Sequence, residues 1–169
     1  MDALEAIHTR RSIRKYQDKP VPAELIDKLL AAAMSAPSAR NQQAWQFVVL
    51  SDRHLLTQMP QIMPNAPMVA RAPLAILVCA DLSLEKSAGY WVVDCAAATQ
   101  NLLLAAHALA LGAVWCGVYP RKERMDGLHR LLALPENVIA HSLVALGYPA
   151  EQPGQVDRYR RERVHHNAW

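Results

Sequence analysis

The sequence predicts an α+β fold, a central sheet flanked by helices, on three observations. Four short apolar runs of strand length interleave with five segments of helical pattern. The runs are continuously apolar, as in strands covered on both faces. One helical stretch, Gly89 to Leu111 (GYWVVDCAAATQNLLLAAHALAL), is apolar nearly all round and so must be buried on nearly every side. No repeat or composition break divides the 169 residues, so one domain, 1–169, is expected. Strand order and direction are not encoded in this pattern.

Taken in order, Asp2 to Thr9 reads as a short helix with Leu4 and Ile7 on one face. The basic segment Arg10 to Lys15 follows. Pro20 and Pro22 break the chain, and Pro22 sits where a first helical residue would. Leu25, Ile26, Leu29, Leu30 and Ala33 have helical spacing. Pro37 and the small polar residues around it turn the chain before the strand Trp45 to Leu50 (WQFVVL). His54 to Met63 is a weaker helix, and Pro60, Pro64 and Pro67 make the next stretch irregular. Leu74 to Ala80 (LAILVCA) is a buried strand. Gly112 is the expected stop of the long helix, followed by the strand Ala113 to Val118 (AVWCGV). Arg121 to Leu132 is an amphipathic helix, and Val138 to Leu146 (VIAHSLVAL) a fourth strand. The tail from Glu151 is polar and basic but ends in Trp169, which is expected to dock.

The long helix is read as a core helix and not a membrane span. Asp94, Gln100, Asn101 and His107 are spread along it, and an ionisable group at a bilayer centre costs on the order of 3 kcal/mol. A chain of ~150 residues buries only about 70 % of its unfolded surface, so a second copy is expected to share this helix in a homodimer. The chain is 52 % hydrophobic and 20 % charged, in the range of soluble globular proteins. Cys79, Cys95 and Cys116 are odd in number and lie in apolar runs, which argues for a reducing compartment and against a disulfide framework. With acids before any apolar run at the N-terminus, a cytoplasmic protein is expected.

Two stretches carry chemistry. His8-Thr-Arg-Arg-Ser-Ile-Arg-Lys-Tyr16 packs four cations and a hydroxyl together, which suits a phosphate; a solvated basic face and nucleic-acid binding are the other readings. Aromatic residues make up only 6 % of the chain, which disfavours nucleic acid. Ser38, Arg40, Asn41, Gln42 and Gln43 form a polar turn whose amides could read a heterocycle edge. No Gly-rich nucleotide motif or nucleophile elbow is present. The adjacent pair His165-His166 has no metal-ligand spacing, so no metal is expected.

In order and spacing, TRRSIRKY, SAPSARNQQAWQFVVL, DCAAATQNLLLAAHALALGAVWCGVYP and ALGYPAE…RERVHHNAW resemble the nitroreductase family of FMN-dependent flavoproteins, in its short form. The resemblance implies an intertwined homodimer around the long helix, with FMN between the subunits. It implies that Arg10 and Arg163 hold the FMN phosphate, with Ser12 assisting and Arg11 touching cofactor. Arg14 would approach the pyrimidine edge, as would Asn65. The turn residues Pro37, Ser38, Asn41 and Gln43 would border the flavin, partly from the other subunit. The main chain at Cys116 and Gly117 would face flavin N5. The implied activity is reduction of a nitroaromatic, quinone or similar acceptor by NADH or NADPH, in ping-pong turnover through N5 and with no protein nucleophile. A specialised flavin enzyme (dehalogenating, heterocycle-oxidising or flavin-consuming) and a non-catalytic FMN- or nucleic-acid-binding dimer are the alternatives. Two departures stand out: Ala44 where many members have Pro, and Met68 where larger members have Lys.

Overall fold

The computed structural model describes residues 1–154 and 156–169. In chain order its main elements are α1 (Ala3–Thr9), α2 (Ala23–Met34), β1 (Trp45–Leu50), α3 (Arg53–Ile62), β2 (Leu74–Asp81), α4 (Trp91–Ala108), β3 (Gly112–Gly117), α5 (Lys122–Leu132) and β4 (Val138–Gly147). The strands form one antiparallel sheet in the order β1-β2-β4-β3. Both faces are covered, which is why the strands are apolar without alternation. On one face Ile76, Val78 and Val144 meet Leu29 of α2 and Leu102 of α4. On the other, Leu77 and Leu143 meet Leu56 and Met59 of α3 and Leu128 of α5. Each such fully buried side chain contributes about 1.5–3 kcal/mol.

The pairing of β2 with β4 shifts register at Val78/Cys79, leaving His141 without a partner across the ladder. Ser142 then bonds Thr99 of α4 (Oγ to Oγ1, 2.8 Å), while His141 lies against Trp91 of α4 with ring centroids 6.2 Å apart. A bulge here re-aims two consecutive side chains toward the same helix.

Four local expectations change. Pro22 precedes the first residue of α2 as its extended N-cap (ψ 146°) and is not the first helical residue. The long helix ends at Ala108, and the left-handed residue after it is Ala110 (φ 59°). Gly112 instead opens β3, where a Cβ would stand 2.6 Å from Ile13 Cγ2; close packing, not helix termination, requires it. Pro60 does not end α3 but lies inside it, two residues before its last residue, Ile62. Trp169 does not dock on the rest of the chain: it is 101 % exposed and, among the described residues, stacks on His165 (centroids 4.3 Å). The tail carries Tyr159 and Val164 outward as well, because little of it folds back on the sheet.

Helix α4 is covered by the sheet and by α2, with α1 against its last turn. Ala98, Leu102 and Ala106 are 0 % exposed against the sheet. Val93 and Gln100 on the opposite side are exposed, and Ala97 and Leu104 are half-buried. Leu4 (68 %) and Ile7 (52 %) of α1 are likewise bare. Among the described residues no helix is long and apolar enough to cross a membrane.

Candidate functional site

The basic segment after α1 runs beside β3. Ser12 bridges Ala113, Ile13 N–H donates to Ala113 O (3.0 Å) and Tyr16 bridges Pro149. Ile13 is buried, so it anchors the segment while Ser12 and Arg14 stay accessible. Glu151 Oε1 accepts from Arg14 N–H (2.6 Å) and Lys15 N–H (3.2 Å). Tyr16 Oη sits 2.7 Å from Ile13 O and 3.1 Å from Ala145 O, and burial raises its pKa.

This stitching brings Arg14 to a cavity of about 320 Å³ at the end of β3, shared with Asn65, Met68, Cys116, Gly117 and Tyr119. Arg121 and Arg124 complete its rim, and Arg124 Nη1 donates to Gly117 O (2.5 Å). A Cβ on Gly117 would meet nothing within 4 Å, so the space above this backbone is open. Burial pushes the Cys116 thiol above its usual range, which keeps it protonated and unsuited to nucleophilic attack. Trp115 (37 % exposed) and Tyr119 (38 % exposed) stand out of a group that includes Trp91 and His141. His141 is pushed down to about 4 by burial, and its Nδ1 has no partner.

A second cavity, of about 710 Å³, opens between the end of α1 and the tail and is lined by Arg10, Arg11, Gln100 and Arg158. The Arg10 pKa is lowered by burial and by the charges of Arg158 and Arg11. Among the described residues the ion pair is Lys122–Asp126, far along the chain; Asp157 also lines this cavity but pairs with none of its three guanidiniums, which outnumber it. That arrangement favours an anion. Arg11 donates Nε to Gly154 O (3.1 Å) and Nη1 to His8 O (2.9 Å) and Arg10 O (2.7 Å), tying the tail to α1. His107 of α4 sits with Nε2 2.7 Å from Thr9 Oγ1. The Thr9 hydroxyl donates to Glu5 O (2.6 Å), so the ring nitrogen carries the proton between them.

The third group is the turn between α2 and β1. Pro37, Asn41 and Gln43 are exposed and Ser38 half-buried. Ser38 Oγ accepts from Gln43 N–H (3.1 Å), and Gln43 Nε2 donates to Asn41 Oδ1 (2.8 Å).

Of the residues singled out from sequence, Arg14, Asn65, Cys116 and Gly117 therefore share one cavity and Arg10 and Arg11 another, with Ser12 between. Pro37, Ser38, Asn41 and Gln43 line neither. Arg163 lies in the 3-10 turn Arg161–Arg163; the tail arginine that meets Arg10 is Arg158. Trp115, Tyr119, Arg121 and Arg124 were not legible as candidates, since no spacing marks them; Arg158 was legible only as one of a basic cluster with Arg160, Arg161 and Arg163 that could converge with the N-terminal arginines on an anion.

Comparison with known proteins fits this picture. The model of the Nitroreductase family matches residues 7–64 and 61–148. A Methanothermobacter thermautotrophicus protein, provisionally named NADH dehydrogenase/NAD(P)H nitroreductase, is 56 % identical over 100 % of this chain and 88 % of its own. An FMN-dependent nitroreductase from Clostridium difficile superposes with TM-score 0.91 at 29 % identity, covering 98 % of this chain and 99 % of its own. A Desulfovibrio desulfuricans structure, provisionally named a nitroreductase and solved in complex with FMN, gives TM-score 0.85 at 33 % identity, over 98 % and 96 % of the two chains. Matched along nearly its whole length in sequence and in fold, the chain belongs to the nitroreductase family.

Proposed function

We propose that the protein is an FMN-dependent NAD(P)H oxidoreductase that works as a homodimer. The observation that carries this is a line of unpaired guanidiniums on one segment. It leads from the anion cavity at Arg10 and Arg158 to Arg14, beside the open backbone of Gly117. An unmet cluster of positive charge at one end and a bare glycine at the other fit a phosphate-bearing planar cofactor. FMN, when bound, supplies the capacity to take two electrons from NAD(P)H and pass them to an acceptor. The chain supplies position and charge. Arg10 and Arg158 neutralise the phosphate, with Ser12 nearby to donate. Arg14 and Asn65 present donors to the ring edge, and the Arg14 charge favours the electron-rich state of whatever ring lies there.

The homodimer follows from the bare side of α4, where Val93 is 57 % exposed, together with Leu4, Ile7 and the outward tail. A second copy would cover this surface and bring the Ser38–Gln43 turn and Arg163 to a site that one protomer leaves incomplete. Acceptors of the nitroaromatic or quinone type suit the aromatic rim at Trp115 and Tyr119. Anaerobic titration of the purified protein with NADH and with NADPH, followed by a panel of nitroaromatics and quinones, tests the reading. Bleaching of the flavin absorbance followed by its return on adding an acceptor is expected. A colourless protein that takes up no FMN would overturn it.

A further inference from the structure

We infer that Asp94 and Gln42 form a buried clamp that sets the Ser38–Gln43 turn for ligand binding; the inference rests on the flavin reading above. Both side chains are hidden, Asp94 at 4 % and Gln42 at 5 % exposure. Asp94 lies in the first turn of α4. Its Oδ1 accepts from Ala39 N–H (3.0 Å) and its Oδ2 from Gln42 Nε2 (2.6 Å). Gln42 Oε1 accepts in turn from Lys86 N–H (2.8 Å) and Ser87 N–H (3.0 Å). One side-chain pair thus gathers three backbone N–H groups from two separate loops. Only one orientation of the Gln42 amide works. Flipped, it would set its NH₂ against two N–H donors and its carbonyl against a carboxylate.

The backbone on either side shows what the clamp holds. Arg40 (φ 50°), Asn41 (φ 51°) and Gln43 (φ 49°) are all left-handed, and none is glycine. L-residues stay in this region only when their surroundings hold them there. Gln42 itself, at φ −73°, is the one residue of this run that turns inward. Asn41 and Gln43 gain no burial from the strain; they face outward, bonded to each other and to Ser38. Three consecutive amide side chains therefore divide their labour: the middle one is the anchor, and its neighbours form a rigid outward edge of donors and acceptors. A buried network in which each of these side-chain polar atoms has a partner favours a single geometry, which is what a preassembled recognition edge requires. Asp94 and Gln42 are positioning residues, acting on ligand only through the turn.

A polarity swap tests this. Asp94→Asn alone sets two amide NH₂ groups against each other, and Gln42→Glu alone sets two carboxylates face to face. In Asp94→Asn/Gln42→Glu the introduced amide donates to the introduced carboxylate. Its carbonyl still accepts from Ala39 N–H, and the carboxylate still accepts from Lys86 and Ser87 N–H. Every bond is restored with one reversed in direction. Each single variant should bind FMN roughly ten-fold or more weakly, read by flavin fluorescence on protein with native circular dichroism. Hydrogen exchange should quicken in peptides holding Ala39, Lys86 and Ser87. The double variant should recover both affinity and protection. Wild-type affinity in the singles, or a double no better than the worse single, overturns the inference. So does faster exchange with unchanged affinity, because the turn would then lie outside the site. A wild type that binds no FMN sinks the flavin reading and the ligand half of the clamp. In that case, exchange in the singles as slow as in wild type would sink the clamp as well.

Discussion

The two sides of α4 are built from the same kinds of residue and meet different fates. Ala98, Leu102 and Ala106 are wholly buried against the sheet, whereas Val93 is 57 % exposed on the opposite side. The difference teaches that a helix apolar all round answers to two partners. The sheet covers one side within the chain, and the remaining stripe is the surface that the proposed second copy would cover. The polar residues are sorted the same way. Asp94 and Thr99 are buried and bonded to the turn and to β4, while Gln100 lines the cavity at Arg10 and Arg158.

The largest effect that would break the comparison is a charge on each side in turn. Ala98→Arg buries an unpaired cation against the sheet, costing several kcal/mol, and should yield insoluble or unfolded protein. Val93→Arg should keep native circular dichroism yet sediment as a monomer, and it should abolish the rise of the unfolding midpoint with concentration expected of the wild type. Equal outcomes for both variants would erase the distinction.

A pH titration probes the sheet side. His141, packed on Trp91, has its folded pKa lowered to about 4. The unfolded chain therefore binds this proton more readily. Stability should be full above the ordinary histidine range and fall as pH drops from about 6.5 to about 4, by on the order of 3 kcal/mol. His141→Phe should flatten that part of the stability curve in urea melts across pH, with no change above pH 7.

The open side predicts a smaller effect at the anion cavity. Arg10→Ala and Arg158→Ala should each weaken FMN about 10- to 150-fold, the equivalent of roughly 1.5–3 kcal/mol. Riboflavin, lacking the phosphate, should be nearly indifferent to both. Arg163→Ala in parallel decides which tail arginine grips the phosphate; equal losses for FMN and riboflavin would make these residues structural.

Smallest is the change at Arg14. Arg14→Gln keeps a donor and removes the charge. Because this guanidinium is exposed in the protomer, the expected drop in flavin midpoint potential is about 30 mV, or about 1.4 kcal/mol, with FMN still bound within a few-fold. An unchanged potential in fully loaded protein would leave Arg14 out of the electrostatics.

The sequence by itself determined the elements. WQFVVL is a strand over the predicted residues, and the five helices and four strands fall in the predicted order. Apolar period and breaker residues act over a few residues, so the chain reports them directly. It also determined that the basic segment stands apart, and that Gly117 lies at the end of an apolar strand. Only tertiary structure decided the rest. The role of Gly112 depends on Ile13, a residue 99 positions earlier that packs on its α-carbon. The tail residue opposite Arg10 depends on where Arg11 ties the chain at Gly154, which makes it Arg158. Which face of α4 meets the sheet is invisible in a helix apolar on every side, because no period distinguishes its partners. The polar turn before β1 reads in sequence as a row of amides, with nothing to mark which of them turns inward. Its inward Gln42 becomes an anchor only once α4 brings Asp94 across 52 residues of sequence. Local pattern records what each segment needs from a neighbour; which neighbour meets that need is a property of the packed chain.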